Sequence, residues 1–113
     1  MELYHEIREK AYIIILAGSL DGYHAGEITN MLNKAIKSRK KNILVDCSKL
    51  ITVSSSGMGI FLSYLPGIKV KQMNLIFFGM NAGVRKVFTL LGLDTILNIQ
   101  DNIPEAYYNA AHS

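Results

Sequence analysis

The apolar residues of this chain follow two patterns, one with the length of strands and one with the spacing of helices. Apolar, strand-length runs occupy residues 12–17, 43–45, 73–78 and 96–99, and the first is rich in β-branched side chains. Residues 2–8 loosely alternate between apolar and polar types, which predicts a half-exposed strand. The pattern therefore predicts about five strands. Gly18 punctuates the end of the first buried strand, and Asp46 closes the second.

Between these runs, apolar residues recur every three or four positions, as they do along one side of an α-helix. The first stripe consists of Ala25, Ile28, Met31, Leu32, Ala35 and Ile36. A second helix is predicted to begin at the serines of residues 54–56 and to stop at Pro66-Gly67. A third covers residues 84–91, and a terminal helix opens at residues 102–105 with Pro104 in its first turn.

The order of these elements predicts an α/β fold. Strands that alternate with helices pair in parallel through right-handed crossovers, whereas the first two strands are joined closely enough to form a hairpin. We therefore expect a mixed, mostly parallel sheet of about five strands, an N-terminal hairpin followed by β-α units, with about four helices packed on it. A chain of 113 residues predicts one domain, residues 1–113.

Composition excludes several classes of protein. Half of the residues are hydrophobic and 19% are charged, so a disordered chain is excluded. No apolar stretch reaches the roughly 20 residues of a membrane span, and the N-terminus has no signal-peptide pattern. Cys47 is the only cysteine, which excludes an internal disulfide and a multi-cysteine metal site. The chain is therefore predicted to be cytoplasmic, with no membrane contact.

Positive charge is concentrated in the basic run at residues 37–41, at the predicted end of the first helix. The run has two interpretations, a solvated helix end that complements the helix dipole or a contact with phosphate groups. No aromatic residues are interleaved with it, and the net charge is only +3. We therefore predict the solvated end and no direct binding of nucleic acid.

No motif of a common enzyme site is present. The chain lacks a Gly-x-Ser-x-Gly nucleophile elbow and a Gly-x-x-x-x-Gly-Lys phosphate loop. Ser55, His24 and Asp21 or Asp46 are compatible with a catalytic triad, but a chain with three histidines readily offers such a combination. The histidines lack the paired spacing of metal ligands: His5, His24 and His112. We predict no catalytic residue, no cofactor and no metal.

The segment Ser54-Ser55-Ser56-Gly57-Met58-Gly59 has two interpretations that the sequence leaves open. One serine suffices to cap a helix, so capping alone explains the start of the second helix. Alternatively, an exposed hydroxyl at the positive end of this helix is a phosphorylation site that controls a partner surface. Met58, Phe61 and Leu62 are then candidates for that docking surface, although core burial is the commoner fate of a helical phenylalanine.

Four segments in order resemble the STAS domain of bacterial anti-sigma factor antagonists, over nearly the whole chain. Leu-Ala-Gly-Ser-Leu-Asp at residues 16–21 resembles the family's early strand end, and residues 43–50 resemble its central strand and following turn. Ser-Ser-Gly-Met-Gly-Ile at residues 55–60 is similar to its regulatory loop and helix. Residues 84–93 resemble its late helix, which ends in Gly-Leu.

The resemblance implies partner switching in transcription control. Such proteins bind an anti-sigma factor that is also a serine kinase, which frees the sigma factor, and a serine phosphatase reverses the phosphorylation. By position the acceptor is Ser55, and Asp21 matches a family aspartate that shapes the loop or the kinase contact. Ser54 stands where the family motif carries aspartate, so Ser54 and Ser56 are alternative acceptors. The predicted partner-binding residues are Asp21, Ser54, Ser56, Gly57, Met58, Phe61 and Leu62.

The missing aspartate motivates a second hypothesis. In it the chain is a scaffold or sensor module without a switch, which assembles with other STAS proteins. The size of the assembly discriminates between the two hypotheses, because a scaffold forms large complexes that ignore kinase and ATP. The sequence does not predict an oligomeric state.

Overall fold

A five-stranded sheet in the order β1-β2-β3-β4-β5 forms the centre of the structure, a computed structural model that describes residues 1–108. The strands are β1 (Glu2–Ile7), β2 (Ala11–Leu20), β3 (Asn42–Val53), β4 (Asn74–Phe78) and β5 (Asn98–Gln100). The helices are α1 (Ala25–Lys37), α2 (Ser55–Val70) and α3 (Ala82–Leu90). Short 3₁₀ turns occupy Gly22–His24, Leu93–Thr95 and Glu105–Tyr107.

The strand pairing is mixed and mostly parallel, as predicted. β1 pairs antiparallel with β2 in an N-terminal hairpin, and each later strand pairs in parallel with the one before it. Each crossover places the next strand at the same edge of the sheet, beside the strand before it. Because such crossovers are right-handed, α1, α2 and α3 all pack on one face.

The two faces of the sheet are covered by different elements. On the helical face, Phe77 lies between Phe61 of α2 and Phe88 of α3, with ring centroids 5.3 and 6.0 Å away. The opposite face is a smaller apolar cluster, packed against the segment that carries Tyr107. The Arg8 guanidinium lies 4.3 Å from the centre of the Tyr107 ring and holds this segment over the sheet.

β2 continues past its predicted end at Gly18 to Leu20, and two further elements continue well beyond their predicted ends. β3 does not close at Asp46 but continues to Val53, because the long end of β2 offers it a partner as far as Leu20. α2 does not stop at Pro66-Gly67 but continues to Val70. Proline removes one backbone donor, which destabilises a helix interior. The extra turn places Ile68 in the core, where it is fully buried, and burial of an aliphatic side chain offsets that loss.

The predicted terminal helix is a single 3₁₀ turn at Glu105–Tyr107, after which Tyr108 is extended. Three α-helices are therefore present in residues 1–108 where about four were predicted. The rest of the predicted terminal helix, beyond residue 108, lies outside the described residues, as does His112. No helix up to that point is long and apolar enough to cross a membrane. Burial raises the pKa of the Cys47 thiol to about 12, so this thiol is neutral and enclosed.

Candidate functional site at the start of the second helix

The first turn of α2 lies at the end of the sheet where the parallel strands finish, beside the β2–α1 connection. The Ser54 amide donates to the Leu20 carbonyl oxygen at 2.9 Å, which joins the start of α2 to the end of β2. Ser54 itself is extended and is the N-cap residue of the helix. The site is therefore assembled from two neighbouring strand ends, in the position where α/β sheets commonly bind ligands.

Gly57 allows this close approach. A Cβ atom at Gly57 would lie 3.0 Å from the backbone of both Leu20 and Asp21, closer than real Cβ atoms normally come. A Cβ at Gly22 would likewise lie 3.2 Å from the Ser56 hydroxyl oxygen. The absence of both side chains lets the loop after β2 and the first turn of α2 pack directly on each other.

The three serine hydroxyls have different roles. Ser54 Oγ accepts a hydrogen bond from the Gly57 amide at 3.2 Å, which caps the helix. The hydroxyls of Ser54 and Ser56 also bond to each other at 3.0 Å. Ser55 is exposed, and no hydrogen bond to its hydroxyl exists within residues 1–108. Among the three, Ser55 thus presents its hydroxyl to solvent without another task.

The backbone of this turn favours negative charge. The amides of Ser55 and Ser56 have no acceptor within the part of the chain that the structure describes, as expected for the first residues of a helix. They lie at the positive end of a 16-residue helix whose first turn contains no acidic side chain. A phosphate on a serine here would meet free N–H donors and the helix dipole.

Asp21 supports the loop that faces this turn. Its Oδ1 atom accepts hydrogen bonds from the Tyr23 amide at 2.9 Å and from His24 Nδ1 at 3.2 Å. The Asp21 side chain therefore caps the 3₁₀ turn Gly22–His24. Tyr23 projects from the same turn with 94% of its surface exposed, next to the residues that contact α2.

Part of the predicted docking surface is corrected by burial. Met58 and Phe61 are 1% and 0% exposed and belong to the helical-face core, so neither side chain contacts a partner. Gly57 is buried against the β2–α1 loop, where it offers only close packing. Leu62 is half-buried and retains an accessible edge. α2 is apolar nearly all round, and that composition hid which side faces the sheet.

The geometry brings together some of the groups considered for catalysis. His24 pairs with Asp21, but no hydrogen bond joins Ser55 to His24 among residues 1–108, and Asp46 instead accepts from the Ser48 amide at 2.9 Å. The same residues contain no cluster of three His, Cys, Asp or Glu side chains that could hold a metal ion. The arrangement can bind or receive an anion, and it lacks the hydrogen-bonded nucleophile and base of a triad.

The chain resembles known proteins in both sequence and structure. The sequence profile of the STAS domain matches residues 3–106. The chain belongs to the STAS domain family. Among curated relatives, the anti-sigma-B factor antagonist of Listeria monocytogenes is 26% identical over 90 residues, 78% of this chain and 77% of the relative. The Staphylococcus aureus protein of the same name is 21% identical over 94 residues, 83% of this chain and 87% of the relative.

Solved STAS structures share the fold. The anti-sigma factor antagonist SpoIIAA in its unphosphorylated form superposes with a TM-score of 0.68 at 21% identity, covering 90% of each chain. The phosphorylated form of Bacillus SpoIIAA gives 0.69 at 23% identity, over 94% of this chain and 96% of the other. An anti-sigma factor antagonist of Mycobacterium paratuberculosis gives 0.80 at 14% identity, over 94% and 90%. These matches confirm the predicted STAS-like α/β fold.

Three features of the site were missed from sequence. The hydroxyl pair of Ser54 and Ser56 depends on side-chain geometry, which a run of serines does not reveal. The exposed Tyr23 gave no signal because aromatic residues are more often packed. The close approach at Gly57 was the third feature. It did have a signal in the sequence, because glycine in the first turn of a helix lowers helix propensity and so indicates a close approach.

Proposed function

We propose that this STAS domain is an anti-sigma factor antagonist that binds an anti-sigma factor with serine kinase activity. Binding releases a sigma factor, phosphorylation of Ser55 ends the interaction, and a serine phosphatase restores it. The observation that carries the proposal is that the three serine hydroxyls have different hydrogen-bond partners. Ser54 and Ser56 are engaged at the cap, while the Ser55 hydroxyl is exposed on the first helical residue.

The role of Ser54 also explains how the helix is capped without the family aspartate. Ser54 performs the capping that an aspartate at this position would perform, because both residue types accept from the amide three residues on. What changes is charge, since the first turn has no carboxylate next to Ser55. A phosphate on Ser55 therefore meets less repulsion here than it would beside an aspartate.

The proposed modification acts on binding rather than on folding. A phosphate adds about −1.5 to −2 charges, which the free amides of the first turn and the helix dipole stabilise. Ser55 and Gly59 are exposed on α2, and Leu62, one turn further on, packs against the core but keeps an accessible edge. With Asp21, Ser56 and the exposed Tyr23 they form the proposed partner surface, and the phosphate lies within it.

Binding and labelling experiments test the proposal. We expect Ser55→Ala to bind the cognate anti-sigma factor within about twofold of wild type and to take up no phosphate from kinase and ATP. Ser55→Glu should bind at least about 100-fold more weakly, because it places a charge inside the interface. Ser63→Glu is the matched control, since Ser63 is also exposed on α2 but two turns further on. Calorimetry and phosphosite mapping give the two readouts.

Two results would contradict the switch. These are wild-type affinity of the Ser55→Glu variant and continued labelling of the Ser55→Ala variant, at Ser54 or Ser56. A stable large assembly that ignores kinase and ATP would instead favour the scaffold hypothesis, in which the domain associates with other STAS proteins. Size-exclusion chromatography with light scattering, with and without kinase and ATP, distinguishes the two.

A further inference from the structure

The end of the sheet where the parallel strands begin, opposite Ser55, carries most of the positive charge. The chain has 12 lysines and arginines, and this end contains Lys10, Lys37, Arg39, Lys40, Lys41, Lys69 and Lys71. None of these side chains forms an ion pair within residues 1–108. Glu9, Asp94 and Glu105 are acidic residues near this end. Glu105 lines a separate cavity with Lys10, and none of the three lines the cavities described next.

A groove crosses this end of the molecule. Its larger part is a cavity of about 500 Å³ between the ends of α1 and α2, with Ile36 and Met73 at its base and Lys37, Arg39 and Lys71 around it. A second cavity of about 190 Å³ shares Met73 and extends the groove past Lys69 to Ile96. We call the two together the basic groove. Its lysine and arginine side chains are exposed and form a cationic rim, whereas Ile36 and Met73 are half-buried and form an apolar base.

Both helices that border the basic groove end in an unusual way. Arg39 and Gln72 follow α1 and α2 with positive φ angles of 59° and 58°. This left-handed conformation normally favours glycine at a helix end, because a side chain there is strained. At the end of α1 this turn places the Arg39 side chain in the lining of the larger cavity, whereas at the end of α2 the same turn carries the uncharged Gln72.

The shape and charge of the groove select its occupant. An extended acidic segment with apolar side chains matches both, since its carboxylates face the cationic rim and its apolar groups face Met73 and Ile96. A nucleic acid fits poorly, because no aromatic side chain lines either cavity for bases to stack on. A lipid surface also fits poorly, because the apolar residues lie in a concavity rather than on a protruding face.

We propose that the basic groove binds an acidic, partly apolar peptide segment of a protein partner. The groove is separate from the Ser55 site, because α2 spans 16 residues, about 24 Å, between them. The interaction is therefore independent of phosphorylation, and a partner held here leaves the start of α2 free. The proposal goes beyond the proposed function and does not depend on it.

The test is a titration of the full chain with a short synthetic peptide in which Glu and Asp alternate with Leu, followed by amide NMR shifts. We expect saturable shifts confined to residues 36–41, 65–75 and 96–98, which line the two cavities, and weaker binding as salt is raised. The double variant Arg39→Gly with Lys71→Gln should bind the peptide about tenfold more weakly. Glycine suits the backbone at Arg39, so this variant should remain folded.

Controls separate this site from general charge effects. Lys86→Gln with Arg85→Gln removes two positive charges from α3, away from the groove, and should leave the peptide affinity unchanged within about twofold. Ser55→Glu should also leave it unchanged. The proposal is overturned if the peptide causes no saturable shifts, if its Gln and Asn counterpart binds equally well, or if the α3 control loses as much affinity. Stronger binding to phosphatidylglycerol vesicles than to the peptide would overturn it too.

Discussion

Helices α2 and α3 begin at the same end of the sheet and with the same capping geometry, yet only α2 carries hydroxyls in its first turn. Ser54 and Asn81 are both extended N-cap residues whose side chains accept from the amide three residues on, at 3.2 and 2.8 Å. Neither helix has an acidic residue in its first turn. At the first helical position, however, α2 has Ser55 where α3 has Ala82.

This difference separates what a helix start requires from what it does not. Capping and free amides are common to α2 and α3, so they are consequences of beginning a helix. The exposed hydroxyl of Ser55 and the β2–α1 loop packed against Gly57 occur only at α2. The case for a regulated site therefore rests on these added features rather than on the cap.

The largest expected effect on stability concerns the aromatic packing that α2 and α3 share. Phe61 of α2 and Phe88 of α3 both pack against Phe77 and are fully buried. Truncation of either one to alanine should lower the free energy of unfolding by about 3–5 kcal/mol. Chemical denaturation of the two variants measures this. A Phe61→Ala protein that melts like wild type but loses partner binding would instead place Phe61 in an interface.

The second effect concerns the loop contact that only α2 makes. Gly57→Ala should cost about 1–3 kcal/mol, because its Cβ would meet the Leu20 and Asp21 backbone at 3.0 Å. Gly59→Ala, in the same helix with nothing within 4 Å, should instead stabilise by about 0.5–1 kcal/mol. Thermal melting of this matched pair is the check, and equal shifts would mean that the close approach at Gly57 is absent.

The two capping side chains should differ modestly in how much they contribute to the free energy of unfolding. Ser54→Ala and Asn81→Ala should each cost about 0.5–2 kcal/mol, with Asn81 at the upper end. The Asn81 side chain also donates to the Leu50 carbonyl oxygen of β3 at 3.3 Å, whereas the second bond of the Ser54 hydroxyl joins it only to the exposed Ser56. Ser54→Asp keeps the acceptor and should stay within about 0.5 kcal/mol of wild type. Urea denaturation ranks these variants, and a Ser54→Asp protein as unstable as Ser54→Ala would contradict the capping role.

The smallest effect on stability is expected at Ser55. Because its hydroxyl forms no hydrogen bond within residues 1–108 and alanine favours helices, Ser55→Ala should change the free energy of unfolding by at most about 0.5 kcal/mol. Urea denaturation beside Ser54→Ala provides the measurement. A loss at Ser55 as large as that at Ser54 would show that Ser55 is part of the cap and has no free hydroxyl.

The sequence predicted the mixed, mostly parallel sheet, the hairpin and the positions of all three α-helices, because these follow from local periodicity, turn residues and the alternation of strands with helices. It did not predict that β3 continues to Val53, since this depends on a partner that the long end of β2 provides. The passage of α2 through Pro66 was missed for a similar reason. Burial of Ile68 offsets the lost hydrogen bond, and burial is a tertiary property.

The candidate site was only partly predictable. A serine at a helix start is visible in the sequence, and the family resemblance selected Ser55. Which hydroxyl is free was not visible, because it follows from the bond between Ser54 and Ser56. Met58 and Phe61 were assigned to an exposed surface because a helix that is apolar nearly all round has no clear inner face.

The most direct test of the central claim compares the unmodified chain with the chain that carries phosphoserine at position 55. The affinity of each for the cognate anti-sigma factor is measured by calorimetry, and the stability of each by urea denaturation. We expect the affinity to fall at least about 100-fold while the fold stays as stable as before, because the first-turn amides stabilise the phosphate. Equal affinity of the two forms would contradict the account, and Ser55 would then be an ordinary exposed residue beside a capped helix.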